Sequence, residues 1–373
     1  MHLLTEHPTT RFAAPDGSVA PAPAEHRGVA RDGVRLIVAR PGGLVHTTFR
    51  HLAAHLGAGD VVVVNNSQTV AAAWDATSDV RGPVVLHAAT LLDDGTWVVE
   101  LRTAPDAARA VLDGRPGERL TFGSLELVLR AAYPHDGSSP TGAGDRLWRA
   151  SVVPSSGDLA AYLRRHGRPI AYGYLDRRYP LADYQTVFGT HPGSAEMPSA
   201  GRPFTPAIVT ELVAHGVAVA PITLHTGVSS QEAGEAPLAE RFEVTAATAR
   251  LVNAARAGGG RVVAVGTTVT RALESAVDDD GALVARSGWT DRVVTPADPP
   301  RVVTGLVTGW HDPQASHLLL VEAVAGAELT QRAYDAATTG GYLWHEFGDA
   351  AMLLPDLADL TARHTPPGRT EHG

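Results

Sequence analysis

The chain contains no cysteine. That excludes disulfides, thiolate nucleophiles and cysteine-ligated zinc or iron–sulfur centres, and leaves histidine and carboxylates as ligands for any metal. Nothing approaches the run of ~20 apolar residues that a membrane-spanning helix needs. The opening stretch MHLLTEHPTTRF has neither the basic start nor the apolar segment of a secretion signal, so the chain is expected in the cytoplasm. No Gly-x-x-x-x-Gly-Lys phosphate loop is present, and the Gly258 to Gly260 run precedes a strand-like segment instead of following one. Positive charge is also short: 31 Lys and Arg against 40 Asp and Glu give a formal net charge of −9. Affinity for nucleic acid rests largely on cations that neutralise phosphates, so this balance works against RNA as a partner. Arg164, Arg165, Arg168, Arg177 and Arg178 could still form a local basic face, or simply a solvated helix end and loop.

What is present is enough to fold. With 373 residues and 44% apolar content, the chain can bury a large core and is expected to hold about two domains. Residues 1–30 are rich in Ala, Pro and His without a period and read as an irregular arm, and 361–373 reads as a flexible tail. Val34 to Val38 and Val61 to Val64 are short β-branched runs of the kind found in buried strands. From residue 73 to 152 the texture changes to short alternating segments, such as Thr96 to Leu101 and Leu125 to Leu129, separated by turn residues. That pattern predicts a small all-β module inserted into an α/β domain made of residues 31–72 and 153–360. Thr205, Pro206 and Gly216 bracket an apolar stripe and predict a helix, with Val217 to Leu224 following as a strand. A helix over Ala246 to Ala257 leads to a strand over Arg261 to Val265, then a Gly266-Thr267-Thr268 turn and another helix.

Several groups in this frame can carry chemistry. The start of the helix after Gly266 offers free N–H groups and a positive dipole end to a carboxylate or sugar hydroxyl, although a capped βα turn reads the same way. Arg271 and Glu274 follow within a turn, spaced to share a face or to pair. His225 stands where a strand meets Gly227, the end at which α/β sheets bind ligands, so it is either a general base or a histidine satisfied by backbone. His311, in Gly309-Trp310-His311-Asp312-Pro313, has the same two readings. Asn65 and Asn66 end the Val61 strand as ligand-binding amides or as a turn. His345 and Glu346 hint at a metal site, but no second histidine stands at helical spacing, so no metal is expected.

The order of these segments resembles the S-adenosylmethionine:tRNA ribosyltransferase-isomerases of queuosine biosynthesis. The matching pieces are VVVVNNSQTV at Val61 to Val70, Tyr184-Gln185-Thr186-Val187-Phe188, GSAEMPSAGRPFT at Gly193 to Thr205, and Thr223 to Gly227. GRVVAVGTTVTRALES at Gly260 to Ser275 is the most specific. Gly288 to Asp291, Gly305 to Pro313, Ala325-Gly326 and Gly348-Asp349-Ala350 follow in turn, so the likeness spans about 31 to 355.

The resemblance implies a β-barrel inserted into an α/β domain, and S-adenosylmethionine as a ribosyl donor with no metal. The sulfonium acidifies the 5′-carbon so that a base removes a proton there. Adenine and methionine then leave as the sugar rearranges to an epoxycyclopentane on the amine of 7-aminomethyl-7-deazaguanine in tRNA. Carried onto this chain, His225 or His311 is the base. Gly266, Thr267, Thr268 and Arg271 hold a carboxylate or ribose oxygens, and Asn65 and Asn66 bind adenine or acceptor. Tyr184, Gln185, Gly201, Phe204, Thr223, Gly227, Glu274 and Asp349 complete the implied binding set.

The chain also departs from the family pattern. Two family arginines align with Gln68 and Ala73, and the Leu-His-Phe motif reads Arg202-Pro203-Phe204. Gly-Thr-Phe has become Val228-Ser229-Ser230-Gln231, His-x-Met-His-x-Glu keeps only Glu240, and Arg-Phe-Phe-Ser-Tyr reads Leu343-Trp344-His345-Glu346-Phe347. Such losses predict a rebuilt acceptor pocket. Three readings follow: the tRNA reaction, a paralogue that cleaves or rearranges S-adenosylmethionine for a small-molecule acceptor, or a non-catalytic binding protein.

Overall fold

A computed structural model describes residues 6–140, 142–154, 156–229, 234–313 and 317–358. After the arm come β1 (Arg35–Arg40), β2 (Gly43–Thr48), β3 (Val61–Asn65) and the short β4 (Ser67–Thr69). Six strands follow, β5 (Ala73–Ser78), β6 (Gly82–Leu91), β7 (Trp97–Thr103), β8 (Arg119–Phe122), β9 (Leu125–Ala132) and β10 (Leu147–Val153), then helix α1 (Leu159–His166). The remainder runs β11 (His191–Ser194), α2 (Pro206–Ala214), β12 (Ala218–Leu224), β13 (Glu240–Val244), α3 (Ala246–Ala257) and β14 (Val262–Val265). It closes with α4 (Thr267–Ser275), β15 (Arg286–Thr290), β16 (Gly305–Gly309), α5 (His317–Ala325), α6 (Ala327–Thr339) and β17 (Ala350–Leu353).

The main sheet has nine strands in the order β15-β13-β12-β3-β14-β16-β17-β1-β2. Its centre, β12, β3, β14 and β16, is parallel, and β17 lies between β16 (antiparallel) and β1 (parallel). Why β3 is four valines follows from where its side chains go. Val61 and Val63 enter a core shared with α3, α4, α5 and α6, while Val62 and Val64 enter a second core with Phe204, Ile208 and Leu212 on the other face. A parallel strand covered on both sides gains from apolar residues at every position, each fully buried side chain contributing roughly 1.5–3 kcal/mol. Helix α2 starts as its sequence directs: the Thr205 hydroxyl accepts from the Ile208 amide, Pro206 takes the first turn, and Gly216 beyond the end adopts φ +77°.

Strands β5 to β10 close into a barrel in the order β10-β7-β6-β5-β8-β9, inserted between β4 and β11. The chain is thus an α/β domain with a small inserted all-β barrel. Closure pairs every edge, which explains how strands this short can be stable. Alternate residues, among them Leu86, Val99, Leu101, Leu120, Leu127 and Leu129, fill the interior with Trp74 and Trp148, and α1 adds Leu159 and Leu163. The residues between them on β6 and β7 face outward. On that outer face His87, Glu100 and Arg102 are nonetheless buried, at 1%, 0% and 3% exposure, because the main domain covers them.

The arm is irregular yet packed. Thr9 and Thr10 donate to the Glu322 carboxylate on α5, Phe12 lies 4.6 Å from the Tyr334 ring, and Ala20, Ala22 and Ala24 are buried. Residues 1–5 and the 361–373 tail lie outside the described residues, as do Ser230 and Gln231.

Candidate active site

A cleft of about 660 Å³ opens at the carboxyl ends of β12, β14 and β16. This is where open parallel sheets bind ligands, and the volume suits a small organic molecule. Three groups of residues build it.

The first is the start of α4. Gly266 adopts φ +96°, a conformation that other residues avoid, and turns the chain so that β14 runs into the helix beside Ala200. No side chain caps the helix, so its first amides meet the cleft together with Thr267 and Thr268. Arg271, one turn on, donates through Nε to the Arg292 carbonyl at 2.9 Å and through Nη2 to the Leu238 carbonyl at 2.9 Å and the Thr290 carbonyl at 3.2 Å. It also pairs with Glu240. Four of the five N–H groups of the guanidinium are thereby used, and Arg271 ties α4 to the loops on either side of the cleft. Burial raises the pKa of Glu240, against the pull of Arg271 and of the Gly227 amide that it accepts at 3.1 Å.

The second group is a set of imidazoles. The His311 ring is stacked on that of His317, with centroids 4.9 Å apart and planes within 5°. Its Nε2 shares a 2.9 Å hydrogen bond with the Thr308 hydroxyl, and its amide donates to the Tyr334 hydroxyl at 3.3 Å. Burial, then the neighbouring His317 and His345, push the His311 pKa well below the usual imidazole value, and burial with Arg271 pushes His317 down to about 4. Both rings are therefore neutral near pH 7, the form in which an imidazole can take a proton.

The third group is acidic and aromatic. Glu196 accepts from the Tyr172 hydroxyl, from the Ser229 hydroxyl and, at 3.1 Å, from the Ser229 amide. Glu346 accepts from the Tyr174 hydroxyl at 3.1 Å. Burial and then the nearby Glu196 charge lift the Glu346 pKa to about 8, although the Tyr174 bond works the other way. With Glu240 and Asp312 these make four carboxyl groups in a wall whose arginines, Arg271 and Arg292, are engaged with Glu240 and Asp298. The cleft favours a cation.

Of the residues singled out by sequence, Gly227, Gly266, Thr267, Thr268, Arg271 and His311 line this cleft. The others lie elsewhere. His225 is half-buried beside the two-stranded β4–β11 sheet, its Nδ1 2.7 Å from the Ser67 hydroxyl, which also meets the Ser194 hydroxyl at 2.6 Å. Gly193 passes so close to the ring that a Cβ there would lie 2.4 Å from it. Asn65 spends its amide on strand ends: Nδ2 donates to the Leu224 carbonyl, and Oδ1 accepts from the Ser67 and Leu224 amides. Asn66 and Thr223 bond one another at 2.6 Å. Gln185 makes a paired contact with the backbone of Thr69, Tyr184 is buried against Phe347, and Phe204 fills the core beside Phe49. Gly201 ends a short turn packed on Thr186. Glu274 does not pair with Arg271; it accepts the amides of Arg301, Val302 and Val303 and so anchors the entry to β16. Asp349 accepts the amides of Arg35 and Leu343 and pairs with the Arg35 guanidinium.

Sequence reasoning missed Tyr172, Tyr174, Glu196 and His317, and read His345 and Glu346 only as a metal hint. Both do reach the cleft, but His345 stacks on Tyr174 at 5.3 Å with its Nε2 3.6 Å from Asp312. Among the described residues no group of three His, Asp or Glu side chains could hold a metal ion.

Comparison with known proteins places this architecture. Residues 9–354 match the model of the queuosine biosynthesis protein family. The chain is 34% identical over 353 residues to the S-adenosylmethionine:tRNA ribosyltransferase-isomerase of Moorella thermoacetica, covering 92% of this chain and 98% of that protein. It is 36% identical over 360 residues to the Methylobacterium radiotolerans protein of the same name, covering 92% and 96%. A crystal structure of the S-adenosylmethionine tRNA ribosyltransferase from Thermotoga maritima superposes with a TM-score of 0.50 at 25% identity, covering 92% of this chain and 99% of that one. A match over nearly the whole length, together with the barrel inserted in an α/β domain, means that the chain belongs to the queuosine biosynthesis protein family.

Proposed function

We propose that the protein is a cytoplasmic transferase that uses S-adenosylmethionine as a ribosyl donor to a 7-aminomethyl-7-deazaguanine base in tRNA, releasing adenine and methionine. The observation that carries this reading is the combination, in one 660 Å³ cleft, of an uncapped helix start, a neutral histidine pair and surplus carboxylates. Each suits one part of the donor. The first amides of α4, with Thr267 and Thr268, suit the methionine carboxylate. The carboxylate-rich wall suits the sulfonium. His311, held by Thr308 and kept neutral by its surroundings, suits removal of the proton from the carbon that the sulfonium acidifies. Arg271 then acts as a positioning residue, because its hydrogen bonds go to protein groups on both sides of the cleft. His225 has no part in this chemistry; its partners are structural.

The test is an incubation of the protein with S-adenosylmethionine, with and without tRNA carrying the aminomethylated base, followed by mass spectrometry. Adenine and methionine are expected only with the tRNA. Release without it would replace tRNA by a small-molecule acceptor, and no release in either case would leave a binding protein. In the same assay His311→Asn should lower turnover by about 10²–10⁴, the usual worth of a general base. His225→Ala should leave turnover within about threefold, an effect of under ~1 kcal/mol on the barrier.

A further inference from the structure

The protein neutralises its buried carboxylates with care. Glu100, Glu118, Glu235, Glu240 and Asp349 each lie within salt-bridge distance of an arginine. Glu274 accepts three backbone amides, and Glu322 is satisfied by Thr9 and Thr10. Glu196 and Glu346 are the exceptions: both line the cleft, and among the described residues neither has an arginine, lysine or histidine partner. Glu196 has three hydrogen-bond donors committed to it, whereas Glu346 has one, the Tyr174 hydroxyl. A carboxylate can accept about four hydrogen bonds, so most of the capacity of Glu346 is unspent among the described residues. The walls beside it are aromatic, with the Tyr172 and Tyr174 rings stacked at 6.2 Å, which also favours a cation. Glu346 is in addition one of the positions at which the chain departs from the family segment before Gly348-Asp349-Ala350.

We propose that Glu346, with Glu196 and the Tyr172–Tyr174 pair, forms a site for the primary ammonium group of the acceptor, and that Glu346 takes the proton that frees this amine for attack. The inference rests on the ribosyl-transfer reading for its acceptor, but the site is defined by its own chemistry. An alkylammonium brings three N–H donors to a wall that has acceptors and whose arginines, Arg271 and Arg292, are paired with Glu240 and Asp298. One N–H bond breaks, its electron pair stays on nitrogen as the nucleophile, and the proton moves to the Glu346 carboxylate. With its pKa raised to about 8, Glu346 gives up its own proton to solvent as the ammonium settles beside it, and the resulting carboxylate then takes the proton from nitrogen more readily than an exposed one would.

The experiment uses the intact protein and two probes of one shape, benzylammonium and benzyl alcohol, with affinities measured by calorimetry or ligand-observed NMR. The wild-type protein should bind benzylammonium at least tenfold more tightly than the alcohol. Glu346→Gln should remove at least that tenfold preference, Glu346→Asp should restore part of it, and Tyr174→Phe should weaken it severalfold. Glu346→Gln should lower affinity for S-adenosylmethionine by a smaller factor than affinity for benzylammonium. Equal binding of benzylammonium by wild type and Glu346→Gln would overturn the site. An equal loss of affinity for S-adenosylmethionine and benzylammonium would overturn the assignment to the acceptor, since the cation held by Glu346 would then be the sulfonium. Tight, Glu346-dependent binding of benzylammonium by a protein that does not bind S-adenosylmethionine would support the ammonium site while refuting the ribosyl-donor reading.

Discussion

Two carboxyl groups, Glu100 fully buried and Glu346 part-buried in the cleft wall, have been driven in opposite directions. Glu100 lies in the seam where the outer face of the barrel meets the main domain. Arg102 at 2.7 Å, Arg146 at 3.1 Å and His87 at 3.3 Å surround it, and Arg146 continues to Glu235 at 2.7 Å. Burial would raise the Glu100 pKa, but the His87 bond and the charges of Arg146 and Arg102 outweigh it and take it down to about 2. Glu346 has a tyrosine and another carboxylate for company, and its pKa rises to about 8. Tyr172 stands between them: Arg102 lies over its ring at 5.3 Å, and its hydroxyl bonds Glu196. The same residue type is thus a cross-link in one place and a chemically available group in the next. The clearest difference between the two is compensation: two arginines and His87 surround Glu100, and among the described residues Glu346 pairs with no cation.

The comparison can be broken most forcefully at Glu100. Glu100→Ala leaves two buried guanidinium groups without their shared anion, which should cost about 3–5 kcal/mol in denaturant unfolding. The pH dependence follows from the direction of the shift. A carboxyl whose folded pKa is depressed contributes stability above its unfolded value near 4.5, lost as pH falls towards about 2. An acid titration of Glu100→Ala should therefore be flatter than that of the wild type over this window. A cost below ~1 kcal/mol would show that the seam is not held by its charges.

Glu346 predicts the reverse, with a smaller effect. Its folded pKa is raised, so the unfolded chain releases a proton that the folded protein keeps, and stability falls as pH rises from about 4.5 to about 8. Glu346→Gln removes that penalty. The variant should gain on the wild type by ~1 kcal/mol or more across this range, solvent screening of a part-exposed group reducing the full 1.36 kcal/mol per pKa unit, with no further gain above it. A variant that loses stability at pH 9 would mean that Glu346 is a structural group. Smallest is the floor for both: the Arg119–Glu126 pair on the barrel surface, with Arg119 57% exposed. Arg119→Ala should change stability by less than ~1 kcal/mol, and a larger loss would blur the distinction between compensated burial and surface charge.

The sequence makes much of the framework legible and little of the cleft wall. Runs such as Val61–Val64 announce a covered strand because both faces are apolar, and Thr205-Pro206 announces a helix start because capping is local chemistry. The change of texture at Ala73 marks the barrel for the same reason, since alternation is a property of neighbouring residues. The α4 turn and His311 are also visible, at strand ends where ligands gather. Tyr172, Tyr174 and Glu196 are not, and Glu346 is visible only as a hint of metal, because they sit on irregular segments without periodicity and the tertiary fold alone brings them to one wall. His225 is the converse case, singled out by sequence but placed outside the cleft. The end of its strand is where the sequence puts it, but the ring is taken up by Ser67 and by the close passage of Gly193, a contact that no local pattern encodes.

The position of β17 has a consequence for how the molecule is made. This strand, near the end of the described chain, is slotted between β16 and β1, so the β1–β2 hairpin reaches the sheet only through it. Just ahead of it, the Trp344 amide donates to the Ser18 carbonyl while the Ala20 amide donates to the Trp344 carbonyl, placing His345 and Glu346 beside the early arm. A chain still missing residue 350 onward would have no strand to join β1 to β16, and its main sheet would be open. Docking of that last strand is then the event that brings the opening hairpin home, and an acidic cleft is completed only on a chain whose two ends have already met.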